Sequence, residues 1–562
     1  MTHGRLLSGV VFALALAGCA PALPPGDPAR PDLVLVSIDS LRADHLGAGG
    51  YARDTSPFLD RLARQGLQFS DARSASPWTL PSHTTMLTGL WPWEHGVVED
   101  TLRIGEGTPL VTERLAAAGY RTAGFVSTVY VSGTYGFARG FSHWNDHGIS
   151  EADNLRKSVR ADAQVDEVLA WLRAQPAGAP AFVFLHLYDV HYPYACEGYD
   201  TRFDRKGRPG EAKYRTYAHY LAHPLKPGQL AHQVAQYDEC IASVDDQLER
   251  LHTAWRRGGR EPVFVVTADH GEEFGERGSW GHAHTLAPEQ LHVPLIVSGK
   301  GIAAGVRTER VGTIDIANTL AALGGVEGFG GDGVDLRGTV PVRGFGGETA
   351  RFTSARLSWE TGSERLDLDL AHGTRALYDH AADPAETRDR AGSDPARADA
   401  LQRELLRAVG TPWRVAVGAT AHLAEPESWG GGGPAPLRNA SPGANPSAPR
   451  SKGERTRVGA FWDTDGRVWG AGVACEAGRV RSQEDAETGG AGPVPDVSTQ
   501  VSGLAGVPLG VDVSEPCQLG AWPADLEVRG SSPLRREPPA VATPVALPDS
   551  TREALEALGY VQ

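Results

Sequence analysis

Two stretches of this chain, PDLVLVSIDS and PVFVVTADHGEEFG, are built alike: a short unbroken apolar run, rich in valine and isoleucine, stopped by an aspartate. A run that is apolar at every position has no face for water. Each is therefore a strand buried on both sides, as strands of a parallel sheet are. AFVFLHLYDVHYPY is a third such strand that runs into a polar, aromatic loop, and VPLIVSG is a further one. Between them lie stretches with helical spacing: SPFLDRLARQG, LVTERLAAAG, the long amphipathic YDECIASVDDQLERLHTAWRRGG and TIDIANTLAALGG, each closed by glycine. Alternating strands and helices predict an α/β fold, a mostly parallel sheet sandwiched by helices.

The 562 residues exceed one small core. Residues 32–340 read as the catalytic body and 341–415 as its C-terminal part, a smaller α+β region. Past residue 415 the composition shifts. SWGGGGPAPLRNASPGANPSAPRSKGE is rich in Gly, Pro, Ser and Ala. Residues 416–562 thus form an accessory region, with a hairpin around the Asp-Gly of RVGAFWDTDGRVWGAGVAC and a helix in PDSTREALEALGYVQ.

Residues 1–18 have the basic start and short apolar run of an export signal, too short to span a bilayer comfortably. They end in LAGC, which resembles a bacterial lipoprotein signal with Cys19 as the lipidated residue; an ordinary signal with a chance cysteine is the alternative. Residues 19–31 suit a tether, which places the protein at the cell envelope, on its periplasmic or outer side. The remaining cysteines, Cys196, Cys240, Cys475 and Cys517, permit disulfides 196–240 and 475–517 or four free thiols. A net charge of −15 argues against a nucleic-acid partner.

In open α/β sheets ligands sit beyond the carboxyl ends of the strands. Asp39 and the pair Asp269–His270 follow two predicted strands and share that edge. Two carboxylates and an imidazole suit a divalent cation such as Zn²⁺ or Mn²⁺; each aspartate alone could equally cap a helix. In WTLPSHTTMLTG, Pro81 fits a first helical turn, so Thr79 stands at a helix start, with its unpaired N–H groups and positive dipole end. A hydroxyl there, beside a metal, is a usable nucleophile.

IDSLRADHLG, TLPSHTTMLTG, DVHYPY, TADHGEEFGERG, GHAHTLAPEQLHVPLIV and LYDHAADPAETRD occur in this order, and EALEALGYV ends the chain. Together, over about residues 31–410, they resemble the sulfatase family of the alkaline-phosphatase superfamily. The resemblance implies an alkaline-phosphatase-like fold and an ester hydrolase or phosphotransferase holding one divalent ion, Zn, Mn or Ca. Asp39, Thr79, Asp269 and His270 match metal ligands, and Thr79 the nucleophile. His191 matches an anion-binding histidine. The family's lysine is missing, and either His282 or His284 stands in for it.

Three departures separate the chain from sulfatases that use formylglycine. Their tandem aspartates are here Asp39–Ser40. The cysteine or serine is Thr79, and the arginine four residues on is His83, which could hold the nucleophile or be a solvated helix residue. Threonine is a secondary alcohol, so oxidation would give a ketone and no aldehyde. Threonine nucleophiles occur in phosphodiesterases, phosphoethanolamine transferases and glycerol-phosphate polymerising enzymes of the superfamily. The expected substrates are phosphate or sulfate esters of a small molecule, glycan or lipid. A non-catalytic member that binds an anionic glycan or lipid is the other reading. Asp189 could join a second metal or orient His191. Arg42 and Asp44 could support the site or form a surface pair. His292 reads as packing, and His143 and His147 have no assigned role.

Overall fold

The computed structural model describes residues 23–147, 159–194, 196, 198–199, 201–204, 219–351, 354–370, 373–409 and 542–545, and the backbone alone of 217–218, 415–417, 455–462, 468–476, 479–481 and 535–536. A central sheet contains β1 (Leu33–Ile38), β2 (Leu67–Phe69), β3 (Arg121–Phe125), β4 (His143–Asn145), β5 (Ala181–Leu187), β6 (Val263–Thr267), β7 (Leu295–Gly299) and β8 (Gly305–Arg307). Their order is β8-β2-β7-β6-β1-β5-β3-β4. All run parallel except β7, which lies antiparallel to β2 and β6. The three central strands β1, β5 and β6 are buried along their whole length, as their unbroken apolar runs require.

Helices flank the sheet. One group is α1 (Pro57–Gln65), α4 (Ala161–Arg173) and α5 (Pro227–Arg257), with α5 against both of the others. A second group is α2 (Thr79–Thr88), α3 (Val111–Ala117) and α6 (Ile316–Leu323), mutually in contact. Helix α5 begins at Pro227, well before the Tyr237 where the apolar periodicity starts; proline at its first turn pre-sets the backbone angle there. The predicted Cys196–Cys240 disulfide is present, tying the loop after His191 to α5. Residues before the sheet also lie on the body: Pro24 C=O accepts from Arg260, and Pro25 C=O from Gly178.

The expected smaller region is an antiparallel sheet of β9 (Phe345–Thr349), β10 (Arg356–Thr361), β11 (Glu364–Asp369) and β12 (Thr374–Asp379), in that order, with α7 (Pro395–Val409) packed on β10 and β11. Trp91, Trp93 and Ile314 of the main body share an apolar core with Phe345, Leu357, Leu366 and Leu401. Further on, 455–462 pairs antiparallel with 468–476, as the predicted hairpin requires. Residues 542–544 return to pair with 102–104 of the main body. The signal sequence, Cys19, Cys517 and the expected terminal helix lie outside the described residues. Among the described residues, no helix is long and apolar enough to cross a membrane.

The smaller sheet is joined to the main body by a buried ion cluster in which Glu360 contacts Arg73 at 3.1 Å and Arg310 at 3.5 Å. Burial alone would raise the Glu360 pKa, but the charges of Arg73 and then Arg310 outweigh it and hold the group at about 2. A depressed carboxylate stabilises the fold above its ordinary value, and that contribution is lost as pH falls towards the depressed one. Glu360→Gln is therefore expected to cost on the order of 3 kcal/mol at pH 7, read by thermal or denaturant unfolding, and the difference from wild type should shrink on acidification from about pH 4.5 to about pH 2. An equal loss at all pH values would assign the cost to packing.

Candidate active site

Register sets the site. Ser37 of β1 pairs with His186 of β5 and Thr267 of β6, and Ile38 with Leu187. The three strands therefore end nearly level, and Asp39, Asp269 and the loop to His191 leave from one edge. Immediately after β1 the backbone turns at Ser40, whose φ of +60° is left-handed. That turn directs the Ser40 N–H to Asp269 Oδ1 at 3.1 Å. Tyr237 of α5 braces it, its hydroxyl donating to Ser40 C=O and accepting from Arg42 N–H, both at 2.8 Å. Gly271 is required beside the site, because a Cβ there would lie 2.0 Å from Glu289 C=O.

Asp39, Asp269 and His270 are fully buried, and each has its outer atom tied down. Asp39 Oδ1 accepts from Ser40 Oγ at 2.8 Å. Asp269 Oδ1 accepts the N–H groups of Ser40 and His270. His270 Nδ1 donates to Gly271 C=O at 2.9 Å, which leaves Nε2 as a lone pair. Asp269 Oδ2 and His270 Nε2 are buried with no hydrogen-bond partner. His270 Nε2 is 3.3 Å from Asp269 Oδ2 and 3.7 Å from Asp39 Oδ1, and the three side chains each offer a ligand atom within 4.8 Å of the others. Burial, and then the charge of Asp39, pushes the Asp269 carboxyl well up. Burial likewise holds His270 well down, so its imidazole is neutral, as a ligand must be.

His186, inside β5, stands in an apolar run where nothing in the sequence marks it apart from its core neighbours. Ser127 N–H approaches its Nδ1 at 3.5 Å, so Nε2 bears the proton and faces Asp39 Oδ2 at 3.3 Å. His186 thus braces Asp39. With His83 and Asp269 it forms a second grouping of ligand type. Both nitrogens of His83 are occupied, however: Nδ1 donates to Thr79 C=O at 2.8 Å and Nε2 accepts from Ser37 Oγ at 2.9 Å.

Thr79 is the first residue of α2 and is 5% exposed. The helix ends at Gly89, whose φ of +67° closes it in the left-handed conformation. His83 is fully buried, not solvated, and holds the Thr79 backbone from the next turn. Burial is the main cause that pushes its pKa down to about 3. Ser82 Oγ donates to Asp269 C=O at 2.6 Å, which pins the first turn of α2 against the end of β6.

The loop histidines close the site. His191 stacks on Tyr188, with ring centroids 4.2 Å apart, and lies 4.9 Å from His282, which itself lies 4.3 Å from His270. His191 Nδ1 donates to Tyr192 C=O. His282 Nδ1 lies 3.0 Å from Glu272 Oε1, a buried carboxylate that also accepts from Tyr194. Ala283 N–H donates to Pro77 C=O at 3.0 Å, bringing the 282–284 segment against the approach to Thr79. Between the two candidates left open by the sequence, His282 is the one in contact with His270 and His191. Burial, His282 and Arg351 push His284 down to about 3. Burial holds His191 down and His282 at about 4, and pushes Glu272 up to about 7.

Asp189 Oδ1 accepts the Ala161 N–H at the start of α4, its Oδ2 is buried without a hydrogen-bond partner, and among the described residues it belongs to neither ligand-type grouping. Arg42 is buried and paired with Asp44 at 2.8 Å and Glu276 at 2.7 Å, and it donates to Glu272 C=O, which supports the loop behind His282. His292 bonds Ser70 C=O, and His143 and His147 lie on and after β4, the edge strand at the far end of the sheet.

Residues 31–326 match the sulfatase family. The chain is 23% identical over 348 residues to the uncharacterized sulfatase YidJ of Escherichia coli, covering 53% of this chain and 68% of that protein. It is 30% identical over 291 residues to the low-salt glycan biosynthesis sulfotransferase Agl7 of Haloferax volcanii, covering 50% of this chain and 61% of that one. Among solved structures, the phosphonate monoester hydrolase of Agrobacterium radiobacter shares the fold, with a TM-score of 0.55 at 20% identity over 66% of this chain and 93% of that one.

Proposed function

This chain belongs to the sulfatase family, and from that premise we propose that it is a metal-dependent enzyme that takes the phosphoryl or sulfuryl group of an anionic ester onto Thr79 and passes it to water or an acceptor alcohol. One observation carries this reading: Asp269 Oδ2 and His270 Nε2 are buried 3.3 Å apart without hydrogen-bond partners, their opposite atoms fixed by the backbone, and Asp39 Oδ1 lies 3.7 Å from the same Nε2. Such atoms cost free energy unless a cation completes them, and two acids with a neutral imidazole fit Zn²⁺ or Mn²⁺. Asp39, Asp269 and His270 would hold it, with Thr79 beside them. A bound divalent cation supplies Lewis acidity, which lowers hydroxyl pKa values by several units and stabilises the charge of the transition state.

The residues then divide the work. In the neutral form with Nδ1–H given to Glu272, His282 presents Nε2 as a base. His282 accepts the proton of the Thr79 hydroxyl. Thr79 Oγ1 bonds to phosphorus or sulfur, the ester bond to the leaving alcohol breaks, and His282 returns the proton to that alcohol oxygen. In the second half, water or an acceptor alcohol gives its proton to His282 and attacks the threonine ester, and the proton returns to Thr79 Oγ1. Glu272 stabilises the imidazolium in both halves. Aryl phosphodiesters, phosphonate monoesters and aryl sulfates assayed with Zn²⁺ or Mn²⁺ test the reading. Turnover of at least one class is expected; none by metal-loaded, folded protein would count against it.

The LAGC box further supports a lipid anchor on Cys19 and hence a place at the bacterial envelope, where glycan and lipid esters are at hand. Fatty-acid labelling in a bacterial host should be lost in Cys19→Ala; labelling that persists would remove the anchor from the account.

A further inference from the structure

We infer that Arg351 is the cation that binds the substrate's non-bridging oxygens, and that Trp78 and Tyr130 hold its guanidinium in place for that purpose. The inference rests on the function proposed above and adds the residue that receives the anion.

Placement comes first. Glu348, at the end of β9, donates its N–H to Ala75 C=O, and its own C=O accepts from Ser76 Oγ. One residue later, Thr349 Oγ1 donates to Ala283 C=O at 3.0 Å. The segment leading to Arg351 is thus fastened both to the chain that enters Thr79 and to the chain that bears His282 and His284. Sequence separation hides this: Arg351 lies on the smaller sheet's first strand exit, far along the chain from either.

The side chain is then fixed in orientation. Its guanidinium carbon lies 4.1 Å from the centroid of the Trp78 ring and 4.8 Å from that of Tyr130, and one terminal nitrogen donates to the Tyr130 hydroxyl at 3.0 Å. Trp78 is the residue immediately before Thr79. The planar guanidinium fork fits two oxygens of a tetrahedral anion, and its contacts with the two rings fix where that fork stands. Arg351 is only 7% exposed, so its charge acts in a poorly screened space, and it is felt by both His282 and His284. Guanidinium also stays charged at every working pH, whereas the imidazoles of this site do not.

Binding of inorganic phosphate and inorganic sulfate to the metal-loaded full chain, read by calorimetry, tests this apart from catalysis. Arg351→Met should weaken the tighter of the two at least about tenfold, and Arg351→Lys should recover part of the loss. In turnover, Arg351→Met should raise KM, and Trp78→Leu should move both readouts in the same direction. A folded Arg351→Met protein, by its melting curve, that binds both anions as wild type does would overturn the inference. The same follows if Arg351→Lys binds no better than Arg351→Met while both stay folded. Anion binding that depends on Arg351 in a protein that turns over no ester would instead uphold this inference and remove the proposed reaction.

Discussion

Thr79→Ala is expected to lower turnover at least about a thousandfold, a loss of roughly 4 kcal/mol of transition-state stabilisation, with little change in melting temperature. The separation of the two effects follows from the local structure. His83 holds the Thr79 backbone carbonyl, and Ser82 pins the same turn to Asp269, so α2 stays in place whatever side chain residue 79 bears. What disappears is the hydroxyl. Thr79→Ser keeps an alcohol at that point and should retain much of the activity. Thr79→Ala turning over substrate within a factor of about ten of wild type would mean direct attack by water and would end the covalent scheme.

Asp269→Asn is expected to weaken metal binding at least about a hundredfold and to abolish turnover at ordinary metal concentrations. Its signature in stability is more telling. With the carboxyl pushed well up by burial and by Asp39, keeping it ionised at neutral pH costs the metal-free fold free energy. A raised carboxyl contributes stability below its unfolded value and loses it as pH rises, so at pH 7 the metal-free wild type bears a penalty that the neutral side chain does not. Asparagine retains an oxygen for the N–H groups of Ser40 and His270 without the charge. Metal-free Asp269→Asn should therefore melt above metal-free wild type, while metal-loaded wild type should exceed metal-free wild type by about 2.7 kcal/mol at a hundredfold excess of metal over Kd. Calorimetry with and without chelator checks the order. A variant that melts below metal-free wild type, or a wild type that gains nothing from metal, would contradict a cation at this cluster.

Asp39, Asp269 and His270 are legible in the sequence because each follows directly on an unbroken apolar strand, and parallel strands place such residues at one edge. The central sheet is legible for the same reason, and its single reversed strand, Leu295–Gly299, is not, because burial on both faces carries no direction. His186 is hidden by the signal that reveals its neighbours: within AFVFLHL it reads as one more core position, and only the register opposite Ser37 shows that it faces Asp39. His282 and His284 stand in one motif at near-equal prospects, and the choice falls to the hydrogen bond from His282 to Glu272. Asp189 looks functional beside His191, yet the preceding strand ends so close to α4 that its carboxylate meets the Ala161 N–H instead. Arg351 belongs to no motif. It reaches the site through backbone and side-chain bonds between residues more than sixty positions apart, which no local pattern encodes.

Peptide mass spectrometry of metal-loaded enzyme, acid-quenched during turnover of an activated ester, reads the covalent step on threonine most directly. One phosphoryl or sulfuryl group is expected on the peptide that contains WTLPSH, located at Thr79 and absent when metal is withheld. An enzyme turning over at full rate with Thr79 unmodified and the group on another side chain, or on none, would contradict that step.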